Sequence, residues 1–444
     1  MTDHIFPSIS YPLDPTDLKS ALFKKYGGKH YKVLPTPSLV VKENVVDNNI
    51  KKLFSALSVV NCNVDNKVRY RAHIKTHKTM EGTLKQLGHN VPGYDGEKFD
   101  SIVVSTFREA YMVADYQEKT GESIVKDVVY GLPVGVGENI AEVVKISQKF
   151  EKFTIFIDNT QHIDILKAYI DEHKKELPKD FKFSVFIKID MGTHRAGVFG
   201  KDDLLVLIKK FLETKDYFSL YGFYAHGGHS YGSKSFEESK DVLMAEINSV
   251  NDACSALFGL DKSFKSEELV ISVGASPTIR AFQNTQPEEW KQLIDELNAT
   301  LEVHAGNYLI SDLQQAATGT ITEDDISTFI LGTVLSQYPG RNTELGEILT
   351  NTGVLAMTKE TSHKYKGFGQ LMKNSEYGVW YLNRLSQEHG ILQPLSSDCK
   401  MIPIGEKVEL LVQHVCINMA CFGFFYIVNE DGIIVDVWIP CRGW

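Results

Sequence analysis

Residues 183–226 read FSVFIKIDMGTHRAGVFGKDDLLVLIKKFLETKDYFSLYGFYAH. The stretch opens on an apolar run, Phe183–Asp190, and turns at a loop bracketed by glycines. Leu204, Leu205, Ile208, Phe211 and Leu212 then recur at helical spacing, and a second apolar run, Leu220–His226, follows. That is one strand–helix–strand unit, and strands this continuously apolar suit a sheet covered on both faces. The alternation extends both ways. Further strands are expected at Val68–Thr76, Ser101–Thr106, Asp127–Leu132, Phe153–Asp158, Leu269–Gly274 and Leu301–Tyr308. A long helix at Ser235–Phe258 carries Val242, Leu243, Ile247 and Val250 on one side. Eight β/α units in roughly 240 residues is the arithmetic of a TIM barrel. An open doubly wound sheet competes, but no G-x-G-x-x-G follows any of these strands.

Beyond residue 320 the helical period disappears. Ile326–Leu335, Gly346–Met357, Val379–Leu382, Val408–Cys416, Phe422–Val428 and Ile433–Ile439 read as strands, the last two joined by the hairpin signal Asn429-Glu430-Asp431-Gly432. The expected organisation is an N-terminal segment over 1–40 packed on a β domain, a (β/α)8 barrel over 41–318 and an all-β domain over 319–444. Leu34–Val41 is a candidate strand attached to that β domain.

Composition narrows the function. The 444 residues carry 47 Lys and Arg against 57 Asp and Glu, a net charge of -10, which provides no electrostatic footprint for nucleic acid or an anionic membrane. Six cysteines are too sparse for a disulfide scaffold and fit a reducing compartment. Met1–Ser10 lacks the pattern of a signal peptide, and no apolar run approaches a membrane span. A cytoplasmic location is expected, with a small molecule as partner.

The chemistry concentrates in Arg71-Ala72-His73-Ile74-Lys75-Thr76-His77-Lys78. Strand alternation would place Arg71, His73, Lys75 and His77 on one face at the mouth of the first barrel strand. Neighbouring cations would disfavour an ammonium on Lys75 and make it a nucleophilic amine suited to a Schiff base. A solvated basic strand end is the plainer alternative, and Lys78 is expected to be solvated. A metal-dependent barrel hydrolase would want His-x-His here, whereas His73 and His77 lie four apart with Lys75 between them.

Later loops add candidates. Asp190–Gly197 brackets Arg195 with Gly192 and Gly197, and an Arg fork there can bind a phenolate, carboxylate or phosphate. His226 could stack on or polarise a flat ring, and His229 and Tyr231 could face substrate. Gly274, Ser276 and Thr278 offer N–H and hydroxyl donors to an anion before a Pro-led helix, with Gly306, Asn307 and Tyr308 beside them in barrel order. His414-Val415-Cys416, on an expected strand, would put imidazole and thiolate on one face, suited to Zn²⁺ with open positions. Each of these also has an ordinary structural explanation as a turn, a surface histidine or a buried β residue.

Together these segments resemble the alanine-racemase-fold family of pyridoxal-phosphate enzymes, within it the eukaryotic D-serine dehydratase and D-threonine aldolase branch. Residues 71–78 resemble R-P-H-x-K-T-H-K with Ala72 in place of Pro. Residues 190–197 resemble D-x-G-x-x-R-x-G, residues 274–278 resemble G-S-T-P-T, and residues 302–308 resemble E-x-x-P-G-N-Y with Ala305 in place of Pro. His414-x-Cys416 matches the zinc pair of the dehydratases, where the aldolases carry His-x-Asp.

The resemblance implies a fold type III barrel holding pyridoxal phosphate, a β domain holding zinc, and a homodimer. Lys75 would carry the cofactor, Arg195 would contact its phenolic oxygen and His304 would lie near its ring nitrogen. Gly274–Thr278 and Gly306–Tyr308 would hold its phosphate. His73, His77, His229 and Tyr231 would be near substrate. The implied reaction is dehydration of D-serine to pyruvate and ammonia. Aldol cleavage of D-threonine, or a non-enzymatic pyridoxal-phosphate carrier, are the alternatives.

Overall fold

Each of the eight apolar runs forms a strand, and the strands close on themselves. The structure, a computed structural model, describes residues 15–443, so the expectation for Met1–Ser10 lies outside the described residues. After β1 (Ser38–Lys42) come the barrel strands β2 (Arg69–His73), β3 (Ser101–Val104), β4 (Asp127–Pro133), β5 (Lys152–Ile157), β6 (Phe183–Lys188), β7 (Phe218–Tyr224), β8 (Val270–Val273) and β9 (Thr300–Ala305). They pair in parallel in sequence order, and β9 returns to β2 with Arg71 opposite His304 and Ala72 opposite Ala305. The open-sheet alternative is thereby excluded. Side chains from six strands, among them Val103, Val129, Phe156, Phe186, Tyr221, Tyr224 and Val270, form one buried cluster inside.

The strands after residue 320 are β10 (Thr328–Tyr338), β11 (Glu347–Thr350), β12 (Gly369–Leu371), β13 (Trp380–Leu385), β14 (Gly390–Pro394), β15 (Lys407–Val412), β16 (Phe425–Val428) and β17 (Ile434–Trp438). With β1 they form a nine-stranded sheet in the order β11-β14-β13-β12-β15-β10-β1-β16-β17, with β10 also paired to β11. β1 pairs antiparallel to β10 and parallel to β16, so the strand expected near Leu34–Val41 is central to this sheet. Leu22, Leu34, Val40, Leu313, Phe329, Leu411 and Val437 contribute to its core.

Two expected strands are only partly strands. Gly346–Met357 contains β11 followed by a short helix, Val354–Met357, and Val408–Cys416 ends as strand at Val412 before the helix Val415–Cys421. Short apolar segments do not by themselves distinguish a strand from a buried helical turn. β12 and β14, three and five residues long, had no local signal strong enough to single them out.

The chain divides into two compact units. One comprises the described residues up to Ile50 together with Asn307–Pro440, and the other Lys51–Gly306 with the tail from Cys441. In the second, the Cys441 N–H donates to the Lys78 carbonyl at 2.8 Å. No helix among the described residues is long and apolar enough to cross a membrane. All six cysteines are free, and Cys62 and Cys421 are exposed.

Candidate active site

β2 ends at His73, and residues 74–77 form a turn in which the Lys78 N–H donates to the Ile74 carbonyl at 2.9 Å. Alternation therefore stops two residues short of Lys75, and the expected row of four basic side chains does not exist. Lys75 is half-buried on the turn. Arg71 points inward and is fully buried, its Nε and Nη2 donating to the two carboxylate oxygens of Glu302 at 2.8 and 3.0 Å and its Nη1 to Asp127 Oδ1 at 3.0 Å. Two carboxylates compensate its charge, so it does not bear on Lys75 as a lone cation. Lys78 is not merely solvated: its Nζ lies 2.9 Å from Oε1 of the buried Glu109. His77 is buried against Thr79 and Gln86 and does not face outward.

The Arg71–Glu302 pair begins a chain of hydrogen bonds that sets a histidine's tautomer. The Ser272 hydroxyl donates to Glu302 Oε1 at 2.7 Å, so toward His304 Nδ1, 3.0 Å away, it can only accept. Nδ1 of His304 therefore carries the ring proton, and Nε2 is a bare acceptor, buried and without a protein partner. The ring stacks on Tyr224 with centroids 4.2 Å apart. Burial, then its neighbours His226 and Arg71, holds His304 well below the usual imidazole range.

Two more neutral imidazoles stand nearby. His226 donates from Nδ1 to the Gly274 carbonyl at 2.6 Å, and burial with the charges of Arg195 and Lys75 pushes its pKa down to about 3. His73 is pushed down by burial and by Lys75, and its buried Nδ1 has no partner.

Lys188 belongs to none of the sequence motifs. It ends β6, is 5% exposed, and lies 4.7 Å from the Phe156 ring centroid. Burial and the nearby Arg195 lower its pKa to about 8. The signal was present: Phe186 faces the barrel interior, so strand period two turns Lys188 the same way. Lys75, Lys188 and Arg195 interact electrostatically, three cations against the two carboxylates Asp158 and Asp190, while Glu302 and Asp127 are committed to Arg71. The mouth of the barrel thus holds excess positive charge beside neutral imidazoles, an environment for an anionic aromatic ligand.

The Arg195 loop is built by carboxylates. Asp190 Oδ1 accepts from the N–H groups of Gly192 and His194 at 3.0 and 2.9 Å, and Asp158 Oδ2 accepts from Gly197 at 2.9 Å. Gly197 has φ of +124°, and a Cβ there would sit 2.4 Å from the Asp190 nitrogen. Arg195 itself is exposed. Thr193 ties this loop to the next, donating to the His226 carbonyl at 2.9 Å and lying 3.4 Å from Nδ1 of the exposed His229. Tyr231 is half-buried in the short helix Gly228–Gly232.

The glycine turn after β8 differs from expectation. The Gly274 N–H is already taken: it donates to Glu246 Oε1 at 3.2 Å, and the Gly227 N–H donates to the same oxygen. Glu246, on the helix Phe236–Leu260, is fully buried, and burial pushes its pKa up to about 7. It had no sequence signal beyond an acidic residue on an apolar helix face. The Thr278 hydroxyl is engaged with Ala275, accepting from its N–H at 2.8 Å. What remains for an anion is the Ser276 hydroxyl and the unpaired first-turn N–H groups of the helix Ser276–Asn284. Gly274 is obligatory for packing, since a Cβ would fall 2.0 Å from the His304 carbonyl oxygen. Gly306 packs against His73 less tightly, a Cβ there lying 2.9 Å from the His73 carbonyl oxygen.

In the other unit, Asn307 and Tyr308 begin a buried turn, Asn307–Leu309, and Asn307 Nδ2 donates to Asp312 Oδ2 at 2.9 Å. His414 caps the helix Val415–Cys421 rather than lying on a strand. The cap still brings the pair together: Cys416 is a hydrogen-bond partner of His414, and His414 Nδ1 lies 2.7 Å from Gln314 Oε1. Burial lowers the His414 pKa, but the Cys416 sulfur and Asp312 outweigh it and push it up to about 9. Gln314 holds Nδ1 and so orients the ring, with Cys416 as a further partner, and an oriented imidazole beside a thiol supplies the donor types that Zn²⁺ takes. No group of three or more His, Cys, Asp or Glu side chains is placed to hold a metal among the described residues. Two protein donors fit a metal with open positions.

Fold and barrel mouth define the class, an alanine-racemase-like barrel joined to a second, β-rich unit. Residues 96–293 match the family "Alanine racemase, N-terminal domain" and residues 327–428 the "Putative serine dehydratase domain". The chain is 39% identical over 438 residues to a D-serine dehydratase of Saccharomyces cerevisiae, covering 96% of this chain and all of that one. It is 38% identical to a D-serine dehydratase of Schizosaccharomyces pombe, covering 96% of each. The solved structure of D-threo-3-hydroxyaspartate dehydratase from Delftia sp. HT23 superposes with a TM-score of 0.74 at 22% identity, over 94% of this chain and all of that one. The chain belongs to the D-serine dehydratase family. The alanine-racemase-fold dehydratases are pyridoxal-phosphate dependent. The barrel mouth fits such a group: a reachable lysine, excess positive charge, and buried polar atoms of His73 and His304 that lack protein partners.

Proposed function

We propose that this chain is a D-serine dehydratase, converting D-serine to pyruvate and ammonia as a cytoplasmic homodimer, with pyridoxal phosphate on Lys75 and Zn²⁺ on His414 and Cys416. The observation that carries the reading is the 39% identity to a D-serine dehydratase along its whole length. The barrel's lysine, arginine and helix start supply the groups that the cofactor chemistry requires.

Bound pyridoxal phosphate supplies the electron sink for breaking the Cα–H bond, and Zn²⁺ supplies a Lewis acid for the departing hydroxyl, a poor leaving group at neutral pH. Lys75 would hold the cofactor, and its Nζ would be the base that takes the Cα proton. Arg195 offers its guanidinium to the phenolic oxygen, and Ser276 with the first turn of its helix takes the phosphate. His304 presents Nε2 as an acceptor, its proton held on Nδ1 by Ser272. His226 is held by the Gly274 carbonyl and stays neutral, so it serves as a fixed planar surface rather than an acid. Gln314 aims His414. His73 belongs near substrate, with His229 and Tyr231 at the outer rim, while His77 is removed from that role.

Assaying D-serine, D-threonine and D-threo-3-hydroxyaspartate side by side tests the reading. Pyruvate from D-serine as the preferred reaction supports it. Glycine from D-threonine would instead identify an aldolase, and preference for the hydroxyaspartate a different dehydratase. Lys75→Ala should abolish both pyruvate release and the absorbance band at about 420 nm of the chain loaded with pyridoxal phosphate.

A further inference from the structure

The β2–β9 ladder ends at Ala72 opposite Ala305, three residues before Lys75. Beyond that point a side-chain connection continues the link. The Thr79 N–H donates to His77 Nδ1 at 3.1 Å, so Nδ1 carries no proton and Nε2 does. Nε2 therefore donates to Gln86 Oε1 at 2.8 Å. The amide end of Gln86 then donates to the Gly306 carbonyl at 3.1 Å. His77 and Gln86 are both fully buried, and every donor in the path has its acceptor. The ring's place is reserved by Gly82, where a Cβ would sit 2.6 Å from Nδ1. Burial lowers the His77 pKa to about 4, so the neutral ring persists at neutral pH.

We infer that His77 is a positioning residue: through Gln86 it fixes the Lys75-bearing turn against the Gly306 end of β9, and so sets where the Lys75 amine meets an aldehyde ligand. The inference rests on the pyridoxal-phosphate reading and deepens it. Lys75 sits on a turn rather than a strand, so the β2–β9 ladder cannot hold it; the Ile74 N–H ties the start of the turn to the Val103 carbonyl at 3.2 Å, and the His77–Gln86–Gly306 path ties its far end to β9.

The two ends of the ring can be separated. Asn at 77 can still accept from the Thr79 N–H but is too short for Gln86, whereas Gln at 77 can reach Gln86 with a donor. His77→Asn, His77→Gln and Gln86→Leu are titrated with pyridoxal phosphate as the full-length apo chain, together with melting temperatures. His77→Asn and Gln86→Leu should weaken cofactor binding about tenfold, as for one buried hydrogen bond lost with its partner left unsatisfied, and His77→Gln should recover most of it. Equal affinities in the Asn and Gln variants, or affinities that merely follow melting temperature, would overturn the inference. Hydrogen exchange at the backbone amides of 74–79 in the apo chain reads the coupling without cofactor. Gln86→Leu should accelerate it, and unchanged exchange would also overturn the inference. Failure of the unaltered chain to bind pyridoxal phosphate counts against the proposed function, while the exchange measurement still decides the coupling.

Discussion

Around Lys75 the basic residues divide by their partners. Arg71 belongs to Glu302 and Asp127, Lys78 to Glu109, and His77 to Gln86, which leaves Lys75 on its turn with Lys188 and Arg195 for electrostatic company. Glu302→Leu removes two charge-assisted hydrogen bonds from the buried guanidinium, leaves Asp127 as its one carboxylate, and removes the acceptor that orients Ser272. It should cost about 3–5 kcal/mol, read by chemical denaturation, and a loss below about 1 kcal/mol would contradict this account of the pair. Gly274→Ala forces a Cβ against the His304 carbonyl at a φ of +150°, so the variant should lose soluble folded protein or cofactor binding. Retention of both would mean the turn relaxes more easily than its packing implies. Lys75, Arg195 and the His-x-Cys spacing were legible as residue types. The partners of Arg71 were not, because Asp127 lies 56 residues away and Glu302 231, distances over which no local pattern carries information.

At the scale of elements, the eight barrel strands were legible because strands covered on both faces leave uninterrupted apolar runs. The ends of strands were less so: Val68–Thr76 became Arg69–His73, and that shortening moved Lys75 from a strand face to a turn. His414 and Cys416 moved from a strand to a helix cap for the same reason, since apolar β-branched residues serve either element. Glu246 joins elements, holding the turns after β7 and β8 by Gly227 and Gly274. Its pKa is raised on folding, so its contribution is fully present below the unfolded value and is lost as pH rises through about 7. Glu246→Gln keeps an acceptor oxygen and removes that loss, on the order of 2 kcal/mol by linkage. The variant's melting temperature should therefore fall less than the unaltered chain's between pH 5.5 and pH 8, as scanning calorimetry would show. Parallel profiles for the two proteins would contradict the assignment.

Across the whole molecule, the local alternation of elements identified a barrel and a β-rich remainder, but not that β1 is inserted between β10 and β16, nearly 300 residues and more further along. Such pairing depends on which edges meet, not on any one segment. The proposed homodimer should sediment at about twice the 49.9 kDa chain mass, and a monomer at micromolar concentration would count against it. The most direct test of the central claim, a lysine-bound cofactor working with a metal on His414 and Cys416, is one measurement on the purified chain. Pyridoxal and zinc content per chain are determined together with pyruvate release from D-serine, before and after chelation and after zinc is restored. About one of each per chain is expected, with pyruvate release lost on chelation and restored with zinc. Undiminished release from metal-free protein, or a chain that holds no pyridoxal phosphate, would contradict it.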